Sequence, residues 1–388
     1  MSRDVLVTGF GVRTAFGAGA GALRDGVFDG RPAFAPITRF DTRPYRTAIA
    51  ATGGDGSSLR EVLAETATAA VDMAGLPKDA PVAVLVGTAG DFTGLTRFWR
   101  AAASDGADGT AGADYPGGVA ETVPAWQAAA LADELGLHGP RLAFTTACVA
   151  SATAIVHACQ LISTGRVDAA VCAGAYLVEE ENLAKFGSGF ALSHDGMVRP
   201  FCADRSGLLL GDGAAAIVLE SADSARRRGA RALGALTGWG VSGDAYHVAR
   251  PHPQAMGMVR AAGQALRRAG DPRIDYVNAH GTATKSNDPA ETLGLRELFG
   301  EGAGSVPISS TKSTTGHMLE AAGVVELVIT LLALRDGVVP PTAGFTERDP
   351  ACDLDYVPNR PRKSDLQRAL CVNAAFGGAN TALVLERT

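Results

Sequence analysis

The sequence predicts a layered α/β protein, and three observations carry that prediction. Short β-rich runs alternate with Ala-rich helical stretches almost from end to end, the pattern of helices covering sheets. The 388 residues, 46% of them hydrophobic, exceed one ordinary core and point to two domains or one large domain of two similar halves. A short echo marks those halves: Thr8-Gly9-Phe10-Gly11-Val12 returns as Thr237-Gly238-Trp239-Gly240-Val241, each after a short apolar run. It places a boundary near residue 230, after the charged helix Ser224 to Arg231, so the expected units are 1–230 and 231–388.

In the first half, strands are expected at Val5 to Thr8, Val82 to Val86, Leu142 to Thr145, Ala169 to Cys172 and Ala214 to Leu219. The second half supplies Tyr276 to Asn278, Val306 to Ser309, Leu370 to Asn373 and Ala382 to Leu385. Each is a short β-rich run of the kind that forms buried strands. Helices are expected at Leu59 to Ala74, Val123 to Leu135 and Val149 to Thr164. Further helices are expected at Met256 to Ala269, Asp288 to Phe299 and His317 to Arg335. The Gly/Ala/Asp-rich stretch Ala103 to Gly118 reads as an exposed loop or excursion. Low aromatic content with abundant Ala and Gly predicts close helix–sheet packing.

Composition excludes several classes. With 41 acidic against 35 basic residues, a net charge of −6, the chain is a compact soluble protein and lacks the basic excess of a nucleic-acid binder. The longest apolar stretch, Val324 to Leu334, is interrupted by Glu326 and is too short to cross a bilayer. The N-terminus enters a strand-like run without a signal-peptide core. Six cysteines without a CxxC pair fit a reducing cytoplasm, the expected location.

Chemistry concentrates at three residues. Cys148 lies between a strand and a helix, so its thiol is expected at a helix N-terminus, where free N–H groups and the dipole favour thiolate. Cys159, Cys172 and Cys371 sit inside apolar runs and read as core residues, and Cys352 is uninformative. His280 ends a strand just before Gly281, and His317 follows Gly316 and is expected to open the long helix to Arg335. Both are at element ends, where side chains converge on pockets. Cys148, His280 and His317 are separated by 132 and 37 residues and include no short ligand pair, so no metal is expected.

Four motifs occur in order: Thr146-Ala147-Cys148, Asn278-Ala279-His280-Gly281-Thr282, Ser310 through Lys312 to His317, and Phe376-Gly377-Gly378-Ala379-Asn380. Together they make the chain resemble the β-ketoacyl-acyl carrier protein synthases, the condensing enzymes of type II fatty acid and polyketide assembly. The similarity runs from Val5 to the last strand, including Arg199-Pro200-Phe201 through Gly211-Asp212-Gly213. It implies a thiolase-like fold, two duplicated halves stacked as an α-β-α-β-α sandwich. It implies a Cys-His-His site in which Cys148 accepts an acyl chain from carrier-protein phosphopantetheine. A malonyl-type extender then loses CO₂, and neutral His280 and His317 donate to the enolate oxygen. Backbone N–H groups of Cys148 and Phe376 would form the oxyanion hole, with Gly377 and Gly378 allowing that loop its path. Lys312 would act electrostatically, Glu326 would join it in a buried network, and Thr282 and Thr284 would hold the pantetheine arm. No bound cofactor is implied.

The implied partners are an acyl carrier protein and a second subunit, either a copy of the chain or a chain-length factor, in a two-fold dimer across the sheet edges. Arg205, Arg226, Arg227 and Arg228 are candidates to meet an acidic carrier, although the Arg run also reads as a solvated helix face. The sequence departs from the usual elongating enzymes at Phe201-Cys202, at Ser206-Gly207-Leu208, and at Ala374-Ala375 before Phe376. Gly90 is a further expected tunnel position. Smaller groups at Gly90, Leu208 and Ala374 leave room for a longer or stiffer chain, which points to a specialised polyketide, polyene or fatty acid pathway. Three alternatives share parts of this pattern. A chain-length factor typically loses the nucleophile, a thiolase needs a second Cys in the Gly-rich loop, and an acyltransferase shares the first half-reaction.

Overall fold

Strands in this chain read as apolar runs because most are covered on both faces. The computed structural model describes residues 4–388 apart from 55, 78, 97, 98 and 100–117. The expected loop Ala103 to Gly118 lies outside the described residues except for Gly118, which opens a short helix, Gly118–Glu121. Counting principal elements in chain order, the first half holds β1 (Val5–Thr14), α1 (Leu59–Ala74), β2 (Ala83–Gly87) and α2 (Pro124–Glu134). It continues with β3 (Arg141–Phe144), α3 (Ala150–Ser163), β4 (Ala169–Tyr176), α4 (Glu180–Ser188) and β5 (Gly213–Ser221). The second half holds β6 (Gly234–Gly243), α5 (Met256–Arg268), β7 (Tyr276–Asn278) and α6 (Asn287–Phe299). It ends with β8 (Ile308–Ser309), α7 (Ala322–Asp336), β9 (Arg368–Ala374) and β10 (Ala379–Glu386).

These strands run across the main sheet in the order β8-β7-β9-β10-β6-β1-β5-β4-β2-β3. Outward from the β1–β6 junction, each half gives the same sequence of pairings: antiparallel, antiparallel, parallel, parallel. The junction itself is short, with Val5, Leu6 and Val7 opposite Leu236, Ala235 and Gly234. Helices α1 and α2 cover the outer face of the first half, and α5 covers that of the second with α6 packed beside it. Helices α3 and α7 pack on each other and reach strands of both halves. Successive strand residues feed different cores: Val84 and Val86 join the outer cluster, Ala83 and Leu85 the central one. The result is the expected α-β-α-β-α sandwich.

Helix α7 is buried from Ala322 to Leu334 on every side, as an apolar helix at the centre of a large protein must be. The run Val324 to Leu334 is therefore the central layer, and no described helix is long and apolar enough to cross a membrane. One expectation fails here. His317 does not open this helix: a 3-10 turn, Leu319–Ala321, precedes α7, and His317 lies in a bridge to Leu210.

The repeated pentapeptides fall on β1 and β6, the equivalent strands, and close helix approach explains them. A Cβ on Gly11 would lie 2.1 Å from the Thr66 carbonyl oxygen of α1, and one on Gly240 would lie 2.0 Å from the Ala261 oxygen of α5. Helix backbone cannot yield as a side chain can. Gly240→Ala should lower stability by about 3 kcal/mol, whereas Gly243→Ala, at the end of the same strand with open space around its Cβ, should be nearly neutral. Urea unfolding of the two variants checks this, and equal midpoints would refute it.

Candidate active site

Strand β3 ends at Phe144, and the chain turns sharply before α3. Ala147 takes a left-handed backbone (φ 48°), and Cys148 sits in the single 3-10 turn Ala147–Val149. The thiol is buried. Burial is the main force on it and, with the nearby Glu320 carboxyl, pushes its pKa up to about 12, against the opposing pull of Lys312 and of the Cys148 and Phe376 backbone N–H groups. The expected thiolate is therefore corrected. Cys148 precedes the helix proper, and loss of water outweighs the local dipoles.

His280 is held through its backbone. The N–H groups of His280 and Gly281 donate to Glu291 on α6 at 2.7 and 2.8 Å, and Asn287 Nδ2 donates to the same carboxylate at 3.1 Å. Burial, with the neighbouring Asp288 charge, raises Glu291 to about 7 against the two backbone donors and the Lys312 charge. His317 is fixed from the other side, its N–H donating to the Leu209 carbonyl at 2.7 Å. The two imidazoles meet edge to face, ring centroids 5.4 Å apart. Burial, followed by the Lys312 charge, drives both well below the usual histidine range, so both rings are neutral. Each Nδ1 is buried with no partner among the described residues. A proton is better placed on a nitrogen that can be solvated, which leaves Nε2 as the donor.

Lys312 and Glu326 lie behind the histidines, both fully buried and ion-paired. Asn373 Nδ2 donates to the other Glu326 oxygen at 2.6 Å. The pair is outside the cavity lining, where a charge can bias the imidazoles without touching a ligand.

A cavity of about 460 Å³ brings together Cys148 from the first half with His280, His317 and Phe376 from the second. Thr282, Thr284, Leu208 and Ala374 line it as expected, and the two threonine hydroxyls are 3.0 Å apart. Gly90 does not line it. Its φ of 100° and a would-be Cβ 2.4 Å from the Thr122 oxygen give it a backbone role instead. Phe376 begins the turn that Gly377 (φ 83°) and Gly378 (φ 77°) make possible. Asp244 secures this turn: its N–H donates to the Gly378 carbonyl at 2.8 Å, and its carboxylate accepts from Asn380 Nδ2 and from the Gly257 N–H.

Three contributors escaped the sequence reading. Phe186 of α4 stacks on Phe376, centroids 5.4 Å apart, so an aromatic pair closes the cavity although Ala374 and Ala375 are small. Asp244 carried no local signal. Glu291 did: together with Asp288 it gives acidic residues three apart on one face of the helix that follows His-Gly. The two carboxylates hold adjoining parts of the wall, Glu291 the His280 and Gly281 N–H groups and Asp288 the Phe201 N–H.

The basic candidates also move. Arg205 is buried, ion-paired to Asp288 and Asp349, and donates to the Thr284 carbonyl at 3.1 Å, so it braces the cavity wall and cannot meet a carrier. Arg228 is spent on Glu220 and the Ala74 carbonyl. Arg226 and Arg227 pair with Asp223 and Asp168 on a solvated face.

Comparison with known proteins agrees with this geometry. Residues 55–225 match the beta-ketoacyl synthase N-terminal domain and residues 233–346 the C-terminal domain. The chain is 34% identical to a 3-oxoacyl-[acyl-carrier-protein] synthase 2 of Coxiella burnetii, over 99% of each protein. It is 36% identical to the tetracenomycin polyketide synthase ketoacyl synthase alpha subunit of Streptomyces glaucescens, over 99% of this chain and 97% of the relative. Among solved structures, the ishigamide ketosynthase/chain length factor superposes over the whole of both chains with a TM-score of 0.94 at 32% identity. With that coverage on top of a cavity built from both halves, the chain belongs to the beta-ketoacyl synthase family of condensing acyltransferases.

Proposed function

We propose that the chain elongates an acyl group held on Cys148 with a malonyl-type extender delivered by an acyl carrier protein. The observation that carries this is the convergence of the Cys148 thiol with two neutral imidazoles on one cavity. In loading, Sγ bonds to the carbonyl carbon of the carrier thioester, the carrier's C–S bond breaks, and the proton given up by the Cys148 thiol ends on the departing pantetheine sulfur. The Cys148 and Phe376 N–H groups, which already face the sulfur, stabilise the oxyanion. In extension the extender's C–CO₂ bond breaks and its electron pair forms the enolate, to whose oxygen His280 and His317 donate. The enolate carbon then bonds to the thioester carbon as the C–S bond breaks, and the departing Cys148 sulfur takes up a proton from water. Thr282 and Thr284 hold the arm. The chemistry calls for no metal or organic cofactor.

The paired-halves site supports reading 1–230 and 231–388 as units that do not work alone. Strand β3 ends the sheet, which supports a dimer through that edge, with a second copy or with a chain-length-factor subunit. Relatives from a polyketide synthase and a ketosynthase/chain length factor support a polyketide or polyene pathway, and the cytoplasm is the proposed location. A thiolase reading finds no cysteine in the Gly377–Gly378 turn, since Cys371 points from β9 toward Asn373. Incubating the protein, with any subunit that co-purifies, with acyl and malonyl carrier proteins should release one CO₂ per β-ketoacyl product. Turnover without CO₂ release would overturn the proposal in favour of acyl transfer.

A further inference from the structure

A phenylalanine stands out of the protein at the edge of the cavity. Phe190 follows α4, is 72% exposed and takes a left-handed backbone (φ 56°), a conformation that side-chain-bearing residues seldom adopt. The Phe190 N–H donates to the Gly187 carbonyl at 3.2 Å, so the turn that displays the ring is built. The Arg46 guanidinium lies over its face, 4.2 Å from the centroid, a cation–π contact that orients both groups. Phe190 lines the active-site cavity and also an adjoining surface recess of about 390 Å³, whose wall includes Arg46, His194 and Lys285.

Part of the charge around this ring is already paired, Lys185 with Glu181 and the recess acid Asp204 with Arg199. Among the described residues, Arg46, Lys285 and Arg250 at the cavity rim form no ion pair, in contrast to Arg226, Arg227 and Arg228. Lys285 and Arg250 line the cavity itself. The chain as a whole is acidic, with a net charge of −6, so a local group of free cations at one opening is a departure from the mean. An exposed aromatic beside free cations suits a partner that is acidic and carries an apolar side chain among its acids.

We propose that Phe190, backed by Arg46, is an apolar anchor on which the acidic carrier protein docks while its arm enters the cavity. The inference rests on the condensing role proposed above. The recess beside the ring receives the carrier's apolar side chain, and Arg46 and Lys285 meet its acids. Docking at this point puts the carrier at the cavity opening, where a tethered thioester is delivered at high effective concentration.

The test compares two forms of one substrate, acyl carrier protein and the same acyl group on free pantetheine, using the full chain with any subunit it co-purifies with. Arg46→Glu should lower kcat/KM for the carrier substrate by about tenfold and leave loading from acyl-pantetheine unchanged. Phe190→Ala should lower the ratio of the two kcat/KM values by ten- to a hundredfold, and should weaken direct carrier binding in high salt, where charge contacts are screened. Equal losses with both substrates would overturn the docking role and make Phe190 a wall of the acyl site. An unchanged ratio, or a change of oligomeric state on Phe190→Ala, would also overturn it, the second by assigning the ring to a subunit interface. If the unsubstituted protein loads from neither substrate, the condensing role itself fails.

Discussion

Cys148→Ala abolishes acyl loading: after incubation with acyl carrier protein, the intact mass of the variant shows no acyl adduct. The expected loss is on the order of 10⁴-fold or more. The five other cysteines cannot substitute, because all are buried and none lines the cavity. An adduct persisting at another residue would refute the assignment. The raised thiol pKa of about 12 adds a second signature in the unsubstituted protein. At pH 7 only about one thiol in 10⁵ is ionised, so alkylation by iodoacetamide should climb about tenfold per pH unit from 6 to 9. A plateau below pH 8 would mean that the thiolate is stabilised after all.

His280→Ala and His317→Ala each leave loading intact while lowering malonyl decarboxylation by about 10²- to 10³-fold. The double variant should lose little more than either single one, because the two donors hold one oxygen. CO₂ release measured separately from acyl loading distinguishes the steps, and a parallel fall in both would refute the division of labour. The pH dependence follows from the direction of the shifts. Both imidazoles have pKa values lowered well below the ordinary 6.5, so both are neutral above that depressed value. Decarboxylation should therefore stay flat from pH 8 to 6 and change only further into acid. A rate rising as pH falls through 6.5 would instead identify an imidazolium donor.

Local signals were legible where the chain itself carries them. Helix α1 came out with its expected ends because Ser58 and Glu61 form a capping box and Gly75 closes the helix with a left-handed φ of 61°. Cys148, His280, His317, Thr282, Thr284, Leu208 and Ala374, which share one cavity, were also reached from motifs. What failed depends on distant contacts. The thiol's ionisation is set by burial under elements from both halves, and Gly90 answers to Thr122. Arg205 looks like any surface arginine until Asp288 and Asp349 close around it. The start of α7 was misplaced because its apolar run is continuous with a buried 3-10 turn, and periodicity gives no signal in a segment buried all round.

The central layer also constrains how the chain reaches this structure. Helix α3 needs β6 and β10 for part of its cover, and α7 needs β5, so each half leaves an apolar face bare until the other arrives. Strand β10, which spans Ala379–Glu386, pairs with β6 more than a hundred residues earlier. Such long-range pairing slows folding. During synthesis the first half must therefore wait with its inner face open while the second emerges, which makes it a natural client for chaperones and an aggregation hazard when expressed alone.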